Sequence, residues 1–181
     1  MRQDPRMAET KELYYVIAME SSKTEAEFKA EQEEERAAMA KLAEESKARL
    51  GEVETTVKDL ANQYTSGGLK DQLTSTESGL KYMILEEGEG PATKVGSPVN
   101  VHYYGTLTNG EMFDNSFQRG QAFNFPLGQG RVIKGWDEGV ALLKTGDKAV
   151  LFIPSELGYG AAGAGEKIPG DSELIFYIEV L

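Results

Sequence analysis

At 181 residues with a formal charge of −11, the chain is long enough for one domain plus an extension. Its acidity runs throughout, −6 over residues 1–79 and −5 over residues 80–181, which argues against nucleic acid or an anionic membrane surface as partner. The absence of cysteine excludes disulfides, the single histidine argues against a zinc site, and no apolar run approaches membrane-spanning length.

In chain order, residues 13–19 (Leu-Tyr-Tyr-Val-Ile-Ala-Met) form an apolar run that reads equally as a strand or as a buried helical turn. From Thr24 onward Glu, Ala, Lys, Gln and Arg dominate, with no proline until Pro91, and Thr24-Glu-Ala-Glu27 has the form of a capping box. Leu50, Val53, Val57, Leu60 and Tyr64 step by three and four, a narrow apolar seam that Phe28, Met39 and Leu42 extend weakly upstream. A helix over residues 24–64 would be about 60 Å long at roughly 1.5 Å per residue. Gly51 is a candidate for splitting it, and Ser66-Gly67-Gly68 for ending it.

A seam this narrow cannot form a core alone. Either two chains pair their seams and make a homodimer through the N-terminal helix, or the helix folds back on its own globular domain or serves as a charged spacer. The glutamate-rich stretch 31–35 reads as a solvated face. Residues 1–68 are therefore taken as a helical extension and residues 69–79 as a polar linker.

From Leu80 the pattern changes to short strands, expected at 80–85, 98–107, 112–113, 122–126, 149–154 and 173–181. In the second of these, Val99, Val101 and Tyr103 alternate with Asn100, His102 and Tyr104, the period of a strand with two different faces. Asn109-Gly110 follows as a hairpin turn, expected to hold positive φ at both central residues. Only residues 135–143 read as a helix in this half. The fold class is therefore α+β: an antiparallel sheet covered by one short helix over residues 80–181, preceded by the long helical extension.

The common catalytic sets are missing: there is no nucleophile elbow, P-loop or dinucleotide-binding glycine fingerprint. His102 lies out of phase with Val101 and Tyr103, so it should point away from their face and serve a structural or surface role. The glycine-rich run 158–165 leads to Ile168-Pro169 rather than to a helix, so it reads as a loop carrying Tyr159, not a phosphate cradle. What remains is Asp114 beside Phe113 among many aromatics. On residue types alone, that set is a packed core with Asp114 capping a turn.

Order and spacing point elsewhere. Val101-His-Tyr-x-Gly105 is followed by Gly110-Glu-Met-Phe-Asp-x-Ser116, then by Phe123-x-Phe125-x-Leu-Gly128 and by Val132-Ile-x-Gly-Trp-x-Glu-Gly-Val140. Pro154-x-x-x-x-Tyr-Gly160 and Ile168-Pro, with Leu174-Ile-Phe176, complete a series that resembles the FKBP-type peptidyl-prolyl cis-trans isomerases over residues 80–181. The resemblance implies an antiparallel sheet wrapped on one short helix, and rotation about X-Pro bonds without metal, cofactor or covalent step. Such rotation is slow because it breaks amide resonance, against a barrier of about 18–20 kcal/mol. The twisted amide is less dipolar than the planar one, so a dry aromatic pocket favours it.

The resemblance also implies site roles. Trp136 would floor the pocket, with Tyr103, Phe123, Val132, Ile133 and Phe176 as walls and Ile168 at the edge. Asp114 would face the substrate carbonyl with Phe113 beside it, paired by Arg119 and approached by the Tyr103 hydroxyl. The Ile133 backbone N–H and the Tyr159 hydroxyl would hold flanking peptide carbonyls. Ala164, Gly165, Glu166 and Lys167 depart from the family pattern, which carries bulkier or aliphatic residues there, so one rim wall should be lower and more polar.

Implied partners are proline-containing unfolded or partly folded chains and macrolide inhibitors of the FKBP class. The extension is similar in kind to the dimerising segments of Mip-like bacterial members, with a chaperone contribution implied. A proline-peptide-binding module with little turnover is the alternative function. Residues 1–7 lack the apolar stretch of a secretory signal. The expected location is the periplasm after removal of an upstream signal or lipid anchor, with the cytoplasm as alternative.

Overall fold

The computed structural model describes residues 25–181; the apolar run at 13–19 and the capping box anchored on Thr24 lie outside the described residues. Two compact units are distinguished, residues 1–41 and residues 42–181. The first is represented by most of helix α1 (Glu25–Ala48), whose described side chains between residues 29 and 41 are all exposed, Met39 included.

Within the second unit, α1 ends at Ala48 and α2 runs Leu50–Thr65. The interruption falls at Arg49, not at Gly51, which is helical. The Arg49 N–H tightens onto the Ser46 carbonyl at 3.2 Å. Its guanidinium makes a two-pronged ion pair with Glu179, so the break coincides with a tether to the sheet rather than with a flexible residue. Gly51 has open space around it and nothing there demands a break. The helix ends as its sequence indicates, Ser66 capping and Gly67 turning with φ +80°.

The remaining elements are β1 (Thr74–Ser75), β2 (Lys81–Glu86), β3 (Pro98–Leu107), β4 (Met112–Asn115), β5 (Phe123–Pro126), α3 (Lys134–Val140), β6 (Lys148–Ile153) and β7 (Leu174–Val180). They form one open antiparallel sheet in the order β1-β2-β6-β7-β3, with β4 and β5 sharing the free edge of β3. β5 pairs with residues 98–101 of that strand and β4 with residues 104–106. Within residues 69–79, Leu69 is buried and Thr74–Ser75 extends the sheet, so this stretch carries packed structure as well as polar turns.

The alternation read in β3 sets the two faces. Val99, Val101 and Tyr103 join the inner cluster with Trp136, Leu151 and Phe176. Tyr104 joins the outer cluster with Phe117, Val150, Phe152, Ile175 and Tyr177, where Val53, Val57, Leu60 and Ala61 of α2 are buried against them. Over Leu50 to Tyr64 the apolar seam is thus covered by the chain's own sheet. Burying a valine or leucine side chain such as Val53, Val57 or Leu60 is worth about 1.5–3 kcal/mol of transfer free energy.

The β3–β4 turn differs from expectation in one respect. Gly110 has φ +81°, but Asn109 does not take positive φ. The Leu107 N–H bonds the Glu111 carbonyl at 2.9 Å, so three residues lie in the loop rather than two. Asn109 Oδ1 accepts the Glu111 N–H at 2.9 Å, and this side-chain turn leaves only the last loop residue in the left-handed region.

Candidate active site

Helix α3 lies on the inner face because two of its residues have no side chain. A Cβ on Gly135 would stand 2.5 Å from Ile153, and one on Gly139 would stand 2.5 Å from Leu151. This close approach brings Trp136 into the centre of an aromatic group. Its ring centroid lies 5.0 Å from Tyr103, 5.2 Å from Phe176, 5.6 Å from Phe125 and 6.0 Å from Phe123, at steep angles. Edge-to-face packing of this kind adds about 0.5–1.5 kcal/mol per pair beyond burial.

Above Trp136 opens a cavity of about 520 Å³ lined by Tyr103, Phe113, Asp114, Phe123, Val132, Ile133, Trp136, Tyr159, Ile168 and Phe176, together with Arg131 and the segment 164–167. Ten of the eleven residues singled out from the sequence thus meet around one space. Arg119, the eleventh, stands behind the wall and acts on it. Its two Nη atoms donate to Asp114 Oδ1 and to the Tyr103 hydroxyl, each at 2.6 Å, and its guanidinium lies over the Tyr103 ring. The Tyr103 hydroxyl in turn donates to Asp114 Oδ2 at 2.5 Å.

The Asp114 and Arg119 side chains are 47% and 50% exposed, so the pair adds little to stability but fixes the direction of the carboxylate. Burial, and then the bond to Asp114, push the Tyr103 hydroxyl up to about 12, so it remains a donor at every physiological pH. Burial also raises Tyr159, helped by the Asp114 charge. Neither the Ile133 backbone N–H nor the Tyr159 hydroxyl has a hydrogen-bond partner among the described residues, which leaves two donors free at the cavity. Gly105 shapes the same wall: a Cβ there would stand 2.7 Å from the Phe176 ring and 2.8 Å from the Phe113 ring.

Three supporting residues escaped the sequence reading. Asp137 Oδ1 and Oδ2 accept the N–H groups of Gly128 (2.7 Å) and Gly130 (2.9 Å), holding the loop that carries Arg131, Val132 and Ile133. An acidic residue in the first turn of a helix that follows a glycine-rich loop was the available clue. Ser116 bridges the gap on β3 between β4 and β5: its Oγ accepts the Tyr103 N–H at 2.8 Å, and its N–H donates to the Tyr103 carbonyl at 2.9 Å. Arg131 was identifiable only as the neighbour of Val132-Ile133.

His102 lies on the other face, stacked on Phe117 at 5.0 Å and within 2.9 Å of the Ser116 hydroxyl. Among the described residues no cluster of three His, Cys, Asp or Glu is arranged to hold a metal. No helix among them is long and apolar enough to cross a membrane.

Comparison with known proteins accounts for this constellation. A family profile described as FKBP-type peptidyl-prolyl cis-trans isomerase matches residues 90–181. FK506-binding protein 1 of Dictyostelium discoideum is 53% identical over 103 residues, 57% of this chain and 96% of that protein. A probable FKBP-type peptidyl-prolyl cis-trans isomerase of Haemophilus influenzae is 44% identical over 143 residues, 78% of this chain but 58% of that protein. This chain therefore spans little more than half the length of that relative. Among solved structures, the crystal structure of AtFKBP13 matches with a TM-score of 0.58 at 41% identity, covering 60% of this chain and 95% of that one. The chain belongs to the family of FKBP-type peptidyl-prolyl cis-trans isomerases.

Proposed function

We propose that the cavity takes a prolyl ring onto the Trp136 indole and rotates the preceding X-Pro bond without covalent chemistry. The observation that carries this reading is the pairing of a buried aromatic floor with two free donors at its edge, the Ile133 N–H and the Tyr159 hydroxyl. In solution the planar amide is held by resonance and by water on its dipole. Inside an aromatic cavity that solvation is lost, and the less dipolar twisted amide gains relative to it. The two donors hold flanking carbonyls so that the bond turns against a fixed frame. Asp114, aimed by Arg119 and Tyr103, faces the carbonyl that swings, with Phe113 beside it. Phe123, Val132, Ile168 and Phe176 close the walls.

The substrates are proline-containing segments of unfolded or partly folded chains, with macrolides of the FKBP class as competing ligands. We assign residues 80–181 as the isomerase domain, residues 69–79 as its linker and residues 1–68 as the helical extension, a source of chaperone action. Because the α2 seam is buried within the chain, a homodimer through the extension would use α1. The test is acceleration of X-Pro rotation in a short peptide and of a proline-limited refolding step. Trp136→Ala and Asp114→Ala should slow both while circular dichroism shows the fold retained. No acceleration over the uncatalysed rate would leave a proline-binding module instead. Wild-type rates in folded variants would place the chemistry elsewhere.

A further inference from the structure

We propose that Arg131 and Lys167 make the cavity rim selective for substrates carrying a carboxylate next to the prolyl residue. This rests on the isomerase reading above and names its substrate class. The chain carries 30 acidic against 19 basic residues, yet the charged side chains around this cavity run the other way. They are Asp114, Arg131, Glu166 and Lys167. Asp114 is already neutralised by Arg119. That leaves two cations and one anion, a local excess of one positive charge on a strongly negative protein.

Neither cation is committed elsewhere. Arg131 has no hydrogen bond or ion pair among the described residues, and Lys167 reaches only the Phe113 carbonyl, at a long 3.4 Å. Lys167 does not pair with its neighbour Glu166 although both are exposed. The two cations come from separate loops. Arg131 stands two residues before the free Ile133 N–H, on the loop whose backbone Asp137 pins at Gly128 and Gly130, so the point from which its side chain extends is held beside the cavity. Lys167 stands beside Ile168, and its ammonium reaches across to the backbone of β4 immediately before Asp114.

A peptide whose proline occupies the Trp136 floor must pass its neighbouring side chains over this rim. A carboxylate there gains two unpaired cations at short range, where attraction outweighs the distant and salt-screened repulsion of the net negative protein. A lysine there meets the opposite. Glu166 opposes the preference, so removing its charge should strengthen it.

The experiment compares kcat/KM, by magnetisation-exchange NMR without a coupling protease, for peptides with Glu, Ala or Lys before proline, each normalised to its uncatalysed rate. Expected is a roughly five- to tenfold advantage of Glu-Pro over Lys-Pro at low salt, shrinking at high salt. R131Q with K167Q should bring the ratio close to one, E166Q should raise it, and K94Q, which removes a like charge outside the cavity, should retain it. Acceleration of all peptides regardless of charge, or a ratio that the rim double variant leaves unchanged, overturns the selectivity alone. No acceleration of any peptide overturns the isomerase reading and the selectivity with it.

Discussion

Replacing Val57 by alanine isolates the packing of α2 on the sheet. Val57 is fully buried within the outer cluster that α2 shares with Tyr104, Phe117 and side chains of β6 and β7. The substitution removes two carbons, about 1.6 kcal/mol at roughly 0.8 kcal/mol each. The void left behind adds to this, giving a loss of about 2 kcal/mol. Against a typical total of about 5–15 kcal/mol, that is a clear shift in the midpoint of urea unfolding. The chain has one tryptophan, Trp136, buried in the inner core, so its fluorescence reports the unfolding of the unit directly. Because the seam is covered by the same chain, the midpoint should not depend on protein concentration, and isomerase activity below the transition should be unchanged. A loss under about 0.5 kcal/mol, the range of ordinary surface substitutions, would refute the packing argument. So would a midpoint that rises with protein concentration, the mark of a seam satisfied between chains.

Four further outcomes follow. Tyr103→Phe removes the hydroxyl that joins Asp114 to Arg119; both are half exposed, so water substitutes and thermal melting should show a loss of only about 0.5–1 kcal/mol. Its kcat/KM should fall several-fold, and wild-type turnover would remove carboxylate orientation from the mechanism. In the unaltered protein, a break in the pH–rate profile due to Tyr103 should appear only near pH 12. Gly105→Ala forces the Phe113 and Phe176 rings apart and should cost about 1–3 kcal/mol in urea unfolding, with weakened binding of a proline peptide. His102→Asn tests linkage. Burial, reinforced by Arg49 and opposed by Glu179, holds the His102 imidazole below its ordinary value of 6.5. The unfolded chain then binds the proton more readily. Stability is full above pH 6.5 and is lost as pH falls through the lower folded value. Urea midpoints should decline across that window in the wild type and decline less in the variant.

The sheet and its two faces were legible because strand periodicity is local: Tyr103 inward and Tyr104 outward follow from alternation alone. The cavity lining was legible through the order of its motifs. Other features depend on what the fold brings from a distance. The spacing of Val53, Val57 and Leu60 shows that one face is buried but not against what. Arg49, where the helix breaks, pairs with Glu179, 130 residues away along the chain. Asn109-Gly110 marked the turn correctly, yet the Asn109 side chain, by bonding Glu111, changed its type. Asp137 and Ser116 are small polar residues whose importance comes from backbone groups that no pattern places near them.

The burial of the α2 seam bears on where the protein can be cut. A fragment starting at Leu80 would retain every cavity residue, and on paper it is a minimal enzyme. It would also bare Val150, Phe152, Ile175 and Tyr177, a contiguous apolar strip on the face away from the cavity. Strips of this kind drive soluble proteins to stick to one another and to unfolded chains. By sealing the outer face, α2 keeps that strip out of water and leaves the aromatic cavity open on the opposite face.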